Sequence, residues 1–155
     1  MTQDRIDQLA KIHLFAGLNR KVLEAIASIA TEQSEPAGTR LFAHGDVGDK
    51  LYLILQGKVR ISRDIPGIGE EALAVMGPGE TFGEMCLFDD APRSADAKVH
   101  EKCQLLVLSR DRFAELLFLR MDVAYEVLWN TVRMLTKRLR ETSDKLTFLS
   151  VTSKF

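Results

Sequence analysis

The sequence is poor in cysteine, has no excess charge and contains no long apolar run. Its two cysteines are too few for a disulfide framework or an iron–sulfur cluster held by four thiolates. The 21 basic and 22 acidic residues nearly cancel, which disfavours a broad clamp for nucleic acid or polyphosphate. No stretch approaches the ~18 apolar residues of a membrane span, and the N-terminus lacks a signal peptide's basic end. We therefore expect a soluble, cytoplasmic protein.

Length and turn spacing predict one α+β domain over 1–155, since 155 residues are typical of a single domain. Apolar residues recur at helical spacing over 4–13 and 19–31, with Asn19 as the N-cap of the second helix. Between about 39 and 108, short strand-like runs such as 51–55 and 58–62 are separated by turn residues such as Gln56-Gly57. The turns recur roughly every 8–12 positions, as in antiparallel sandwiches and barrels. Ser109 then caps a short helix, and a long helix follows over about 121–149.

This pattern predicts an antiparallel β-roll, jelly-roll-like and of about eight strands, flanked by helices. The expected boundaries are 1–31 for the N-terminal helices, 32–108 for the β-roll and 109–149 for the C-terminal helices.

One segment, residues 82–95, combines features of an anion site. It reads Phe-Gly-Glu-Met-Cys-Leu-Phe-Asp-Asp-Ala-Pro-Arg-Ser-Ala and predicts one short helical turn. Gly83 lacks a Cβ and so permits a close backbone approach. The amides of Met85 and Cys86, which open the turn, favour an anion.

The polar side chains of the same segment suit a small phosphorylated ligand with a free hydroxyl. Arg93 offers a planar fork of donors that matches phosphate oxygens, and Ser94 adds a hydroxyl donor. Glu84 can accept a hydrogen bond from a sugar hydroxyl. A surface ion pair between Glu84 and Arg93 is the simpler alternative.

Segment 82–95 resembles the phosphate-binding cassette of the cyclic nucleotide-binding domain family. The family pattern is Gly-Glu, two small or apolar residues and Leu, then a short loop, Pro-Arg, a small residue and Ala. Residues 83–87 and 92–95 match every element of this pattern. The stretches 45–46, 52–59 and 77–82 also resemble landmarks of the family's β-roll. We refer to residues 82–95 as the cassette.

The resemblance implies a role for each candidate residue. Glu84 would bind the ribose 2′-hydroxyl, and Arg93 would bind the cyclic phosphate. Four residues would contact these groups through backbone amides or a hydroxyl: Gly83, Met85, Cys86 and Ser94. Three strand residues would form an apolar wall beneath the ligand: Ile61, Ala74 and Met76. Ordinary core packing is the alternative for these three.

Apolar residues recur every seven positions along the predicted long helix, in two series offset by three. The series are Tyr125, Val132, Leu139 and Leu146, then Leu128, Leu135, Thr142 and Leu149. This is the spacing of a coiled-coil seam. It predicts a homodimer through helix 121–149, with packing on the chain's own β-roll as the alternative.

Thr142 is a polar residue in the seam, with Ser143 beside it. A hydroxyl buried there needs a partner, and a back bond to a helix carbonyl would provide one. The stretch 140–152 resembles the dimerisation helix of the bacterial catabolite activator (Crp/Fnr-type) branch of the family. That resemblance implies that Thr142 and Ser143 contact adenine, one from each subunit. The pair favours cAMP, whereas Ser94 alone leaves cGMP open.

These features predict a sensor rather than an enzyme. No second carboxylate, metal-ligand cluster or Ser-His-Asp set accompanies Arg93, so neither catalysis nor a metal site is expected. The catabolite activator branch continues into a winged helix-turn-helix domain, but this sequence stops at Phe155, so no direct DNA binding is expected.

We expect a cAMP-sensing regulatory domain that relays ligand binding through its dimer helix to an effector that the sequence does not identify. The alternatives are a cGMP-binding module and a ligand-free dimerisation or protein-interaction domain.

Overall fold

The computed structural model describes residues 3–154, which form four α-helices, six strands and two 3₁₀ turns. The helices are α1 (Gln3–Ala10), α2 (Arg20–Ile29), α3 (Arg110–Leu119) and α4 (Met121–Thr152). The strands are β1 (Thr31–Glu35), β2 (Arg40–Phe42), β3 (Lys50–Ile65), β4 (Gly69–Met76), β5 (Thr81–Phe82) and β6 (Asp96–Ser109). The 3₁₀ turns span His13–Phe15 and Glu84–Leu87. The predicted α+β fold, an antiparallel β-roll between N-terminal helices and a long C-terminal helix, is confirmed.

The sheet is built around the two long strands β3 and β6. Its order is β1-β6-β3-β4, with β2 also paired to β6 and β5 to β3. The described residues form six strands rather than about eight. One reason is that the predicted strands 51–55 and 58–62 are a single strand, β3. The Gln56-Gly57 pair, which predicted a turn between them, instead lies where the β3–β6 register shifts. A turn-like dipeptide thus marks a β-bulge inside a continuous strand.

The N-terminal helices are shorter than predicted. Helix α1 ends at Ala10, and the 3₁₀ turn follows it. Helix α2 ends at Ile29, and Thr31 pairs with Val107 as the first residue of β1. This strand is polar and lies at the sheet edge, so it carries little of the apolar alternation that predicts strands. The predicted cap is confirmed, since Asn19 Oδ1 accepts a hydrogen bond from the Val22 amide at 3.0 Å.

Two apolar cores lie on opposite faces of β3, because successive side chains of a strand point to opposite faces. Leu51 and Leu53 face the helices, where Phe15 and Phe113 approach to 6.2 Å between ring centres. Tyr52 faces the interior of the β-roll. Partly buried residues also pack against this second core: Leu41, Phe42, Ile61 and Met76.

Helix α4 fully buries side chains on the domain only in its first turns. Its buried residues are Val123, Ala124, Val127 and Thr131. From residue 132 to 154 every residue except the partly buried Met134 is exposed. At 1.5 Å per residue, this exposed part extends roughly 30 Å. No helix within residues 3–154 combines the length and apolarity that crossing a bilayer requires.

The predicted seam lies on a different face of α4 from the buried residues. Its apolar members are between 42% and 69% exposed, from Leu135 to Tyr125. Thr142 is exposed as well. The alternative in which the seam packs on the chain's own β-roll is therefore wrong for this structure.

Candidate ligand-binding site

A cavity of about 460 Å³ lies between the cassette and the strands β3 and β4. This volume is in the range of small-molecule sites, roughly 300–1,000 Å³. Nine of the eleven predicted site residues line it: Ile61, Ala74, Met76, Gly83, Glu84, Met85, Cys86, Arg93 and Ser94. The fold thus gathers residues from separate strands and from the cassette around one space. Their contacts with a ligand remain a prediction.

Arg93 is a buried cation on the wall of this cavity, with 8% of its surface exposed. Its Nη2 donates a hydrogen bond to the Lys50 carbonyl at 2.7 Å. The guanidinium carbon also lies 4.1 Å from the centre of the Phe42 ring, which is cation–π distance. Within residues 3–154 Arg93 has no carboxylate partner at ion-pair distance, and its buried Nε has no acceptor. A buried cation without a counter-charge is suited to an anionic ligand.

The backbone around Arg93 is held by the turn before β3. The Arg93 amide donates to the Asp46 carbonyl at 2.7 Å, and the Gly45 amide donates to the Arg93 carbonyl at 2.8 Å. Val47 and Pro92 form an antiparallel bridge beside these bonds. The arginine is therefore fixed on both its backbone and its side chain.

Gly83 allows the guanidinium to approach the backbone at the start of the cassette turn. A Cβ at this position would lie 2.6 Å from Arg93 Nη1 and 2.9 Å from the Lys50 carbonyl oxygen. The residue also has φ of +81°, which disfavours any residue with a side chain. Both space and conformation therefore require glycine at this position.

Glu84 is joined to helix α4. Its Oε1 accepts a hydrogen bond from Arg138 Nη2 at 3.2 Å, and the two side chains are 20% and 46% exposed. The contact places the carboxylate at the cavity wall and ties it to the exposed part of α4. The simpler alternative, an ion pair between Glu84 and Arg93, does not form.

Arg138 is a candidate site residue that sequence reasoning missed, since it resembled the other charges that keep α4 solvated. It lies one helical turn before Thr142, on the same side of the helix. Its spacing of four residues from Thr142 is the one feature of the sequence that could have indicated Arg138 as a site residue.

The two residues that open the cassette turn differ in burial, since Met85 is exposed and Cys86 is buried. Met85 is exposed at the cavity mouth. The Cys86 amide, expected to be free for an anion, donates to the Gly83 carbonyl at 3.3 Å inside the turn. The Cys86 thiol donates to the Lys50 carbonyl at 3.2 Å. Burial raises the pKa of this thiol, and the nearby Arg93 only partly opposes the effect, so it stays a neutral cavity wall at pH 7.

Thr142 and Ser143 lie on exposed α4, outside the cavity of the single chain. Within the described residues the Thr142 hydroxyl makes no back bond, unlike those of Thr131, Thr136, Thr147 and Thr152. The back-bond alternative for this seam residue is therefore not realised. Neither residue is among those that line the cavity, so their contact with adenine remains a prediction.

Side chains that hold metals do not gather in the described part of the chain. Between residues 3 and 154, no group of three or more His, Cys, Asp or Glu residues is placed to bind a metal ion.

Two curated bacterial proteins are similar to most of this chain. The CRP-like cAMP-activated global transcriptional regulator of Mycobacterium tuberculosis is 33% identical over 144 residues, 93% of this chain. The cyclic AMP receptor protein of Thermus thermophilus is 39% identical over 137 residues, 88% of this chain. The chain spans 62% of the length of each relative.

A solved structure and a family model agree with these relatives. The N-terminal domain of a transcriptional regulator from Streptomyces coelicolor superposes with a TM-score of 0.80 at 36% identity, covering 90% of this chain and 95% of that one. The model of the cyclic nucleotide-binding domain matches residues 32–119, a range that includes the cassette and its cavity. The chain therefore belongs to the cyclic nucleotide-binding domain family.

Proposed function

We propose that this domain senses cAMP and relays its binding through a dimer of α4 to an effector. The observation that carries the proposal is the buried, uncompensated Arg93 on the cavity wall. A singly charged cyclic phosphate would supply the missing counter-charge and an acceptor for Nε. A ligand-free interaction domain would gain nothing from this arrangement, since burying an unpaired cation only destabilises the fold.

In this proposal, cAMP binds in the cavity in a single orientation. The cyclic phosphate faces Arg93 and Ser94, and the ribose 2′-hydroxyl faces the Glu84 carboxylate. The base then lies over the apolar wall of Ile61 and Met76, with Thr142 and Ser143 of α4 reaching it in a dimer. This orientation combines the lining residues with the roles that the family resemblance implies.

cAMP is favoured over cGMP by the two bacterial relatives, whose names describe a cAMP-activated regulator and a cyclic AMP receptor. The second candidate is cGMP, because the Ser94 hydroxyl lines the cavity and could serve either nucleotide. Competition between the two nucleotides for one site distinguishes them.

The dimer is supported by the exposed seam of α4. Its seven apolar members lie on one stripe and are 42% to 69% exposed, which is costly for a monomer in water. A second copy would cover the stripe through knobs-into-holes packing.

The relay is supported by the contact between Glu84 and Arg138. A ribose hydroxyl bound to Glu84 competes with or reorients Arg138, and Arg138 is part of α4. Ligand binding shifts the helix only if the two helix positions bind ligand with different affinity. Because the contact is partly exposed, it contributes at most about 1 kcal/mol, which a bound ligand can readily outweigh.

The test is calorimetric titration of cAMP into the wild type, Arg93→Ala and Glu84→Gln. Loss of the charged hydrogen bonds of Arg93 should cost about 1.5–3 kcal/mol, or roughly 10- to 150-fold in affinity. Glu84→Gln keeps the side-chain shape and should also weaken binding, so the test survives if Arg93→Ala folds poorly. Arg63→Ala, an exposed arginine of β3 outside the cavity, is the matched control. Wild-type affinity in both Arg93→Ala and Glu84→Gln would overturn the proposal.

A further inference from the structure

Arg110 joins three separate segments beside the cavity. It is the first residue of α3, and its Nη1 donates to the carbonyls of Gly48 at 3.1 Å and Asp89 at 3.4 Å. The same nitrogen donates to Asp90 Oδ1 at 3.2 Å. The Arg110 amide donates to the Asp49 carbonyl at 2.8 Å. One residue thus ties the start of α3 to the turn before β3 and to the loop of the cassette.

The turn that Arg110 holds is the support of Arg93. Lys50, at the end of this turn, accepts the Arg93 Nη2 hydrogen bond at 2.7 Å. Gly48 packs so closely that a Cβ there would lie 3.0 Å from Cys86 Cβ and 3.3 Å from Arg93 Nε. A shift of the turn would therefore move the carbonyl that holds the guanidinium.

The loop that Arg110 holds is the longest exposed run of the cassette. Residues 88–92 are all exposed, between the 3₁₀ turn and Arg93. The Asp90 side chain is fully exposed, whereas that of Arg110 is 24% exposed. The bond to the Gly48 carbonyl is partly buried, whereas the bonds to the Asp89 carbonyl and the Asp90 carboxylate are exposed, so the loop is held by two exposed bonds acting together.

We propose that Arg110 is a positioning residue for the phosphate-binding arginine. It clamps loop 88–92 to the turn at 48–50, so that Arg93 keeps its place while the cavity is empty. It also makes the start of α3 part of the same unit, so α3 cannot shift without loosening the cassette. This inference rests on the proposed function for its ligand, but the clamp itself exists in the free protein.

The test compares Arg110→Ala with Arg112→Ala. Arg112 is exposed in the same helical turn, and its side chain forms no hydrogen bond or ion pair within residues 3–154, so it is the matched control. In hydrogen–deuterium exchange of the unliganded protein, we expect the hydrogen-bonded amides of Phe88, Ala91 and Arg93 to exchange at least fivefold faster in Arg110→Ala only. In cAMP titrations we expect Arg110→Ala to bind about tenfold more weakly and Arg112→Ala to bind within twofold of wild type.

Two outcomes would overturn the positioning role. One is unchanged exchange at 88–93 in Arg110→Ala. The other is equally accelerated exchange through the centres of β3 and β6, which would make Arg110 a general structural residue. If the wild type fails to bind cAMP, the proposed function is wrong instead. The hydrogen–deuterium exchange experiment would still show whether Arg110 holds loop 88–92.

Discussion

At the residue scale, Arg93 depends on neighbours that are not charged. A carbonyl oxygen and the Phe42 ring hold its guanidinium, and no carboxylate in the described residues neutralises it. This leaves the cation's full charge available to a ligand, because an internal ion pair would compete for it. Phe42 also lines the cavity and touches the Tyr52 and Phe82 rings.

Replacing the aromatic ring under Arg93 should weaken ligand binding with little loss of fold. Phe42→Leu keeps an apolar side chain but removes a cation–π contact of about 0.5–2 kcal/mol. We expect cAMP affinity to fall roughly 2- to 30-fold in calorimetric titrations. Phe118→Leu, at a side chain 83% exposed, is the control and should bind as the wild type does. Equal affinity of Phe42→Leu and wild type would show that the ring does not hold Arg93.

Gly83 and Gly67 form a matched pair for testing the close approach at the cassette. Both have φ of +81°, but a Cβ at Gly67 would meet nothing within 4 Å, whereas one at Gly83 would meet Arg93 Nη1 at 2.6 Å. Each alanine variant should lose about 1–2 kcal/mol of unfolding free energy from backbone strain. Only Gly83→Ala should also lose cAMP affinity. Chemical denaturation and titration of both variants check this, and equal affinities would contradict the geometry.

The cassette residues could be predicted from the sequence because they are close together in the chain. Arg138 and Arg110 were not predicted, since the partners that define their roles lie 54 and 62 residues away. Such contacts depend on how α3 and α4 pack, and no local pattern records that packing. The expectation for the Cys86 amide failed for the opposite reason, because a bond within the short turn competes with an external anion.

At the element scale, local patterns predicted element types better than element boundaries. The apolar run of β3 is clear because both faces of that part of the strand are buried, but its bulge at Gly57 reads as a turn. Strand β1 is polar at a sheet edge, so only its pairing with β6 reveals it. Helix α4 was predicted over 121–149 and spans Met121–Thr152. The prediction is close because a regular heptad pattern is a strong indicator of a helix.

Helix α4 should lose its coupling to the cavity when Arg138 is replaced. Because its contact with Glu84 is worth at most about 1 kcal/mol, Arg138→Ala should change cAMP affinity less than about fivefold. In the wild type we expect cAMP to alter amide exchange along residues 134–142, and in Arg138→Ala we expect this effect to vanish. Arg140→Ala is the control on the same helix and should behave as the wild type. A full ligand response in Arg138→Ala would rule out the relay through this contact.

At the scale of the whole molecule, the domain buries one face of α4 and leaves the seam open. Burying a leucine side chain stabilises by roughly 1.5–3 kcal/mol, so covering the seven apolar seam residues favours association strongly. The same association would bring Thr142 and Ser143 of α4 toward the cavities. Sensing and dimerisation are therefore one proposal, in which the partner completes the ligand site.

A negative charge introduced in the middle of the α4 seam should prevent two chains from associating. Leu139 is 68% exposed and lies where a dimer would bury it, so Leu139→Glu should yield monomers in sedimentation equilibrium. Lys137→Glu changes charge on the opposite side of the helix and should leave the dimer intact. A wild type that sediments as a monomer at all concentrations, or a Leu139→Glu variant that stays dimeric, would contradict the seam.

Titration of the wild-type protein with cAMP tests whether the cavity beside Arg93 binds this nucleotide. We predict saturable binding of one cAMP per chain with a Kd of about 1 μM or tighter, near −8 kcal/mol. We also predict that cGMP competes for the same site with lower affinity. A folded protein that shows no saturable cAMP binding at millimolar concentration would disprove the cAMP site.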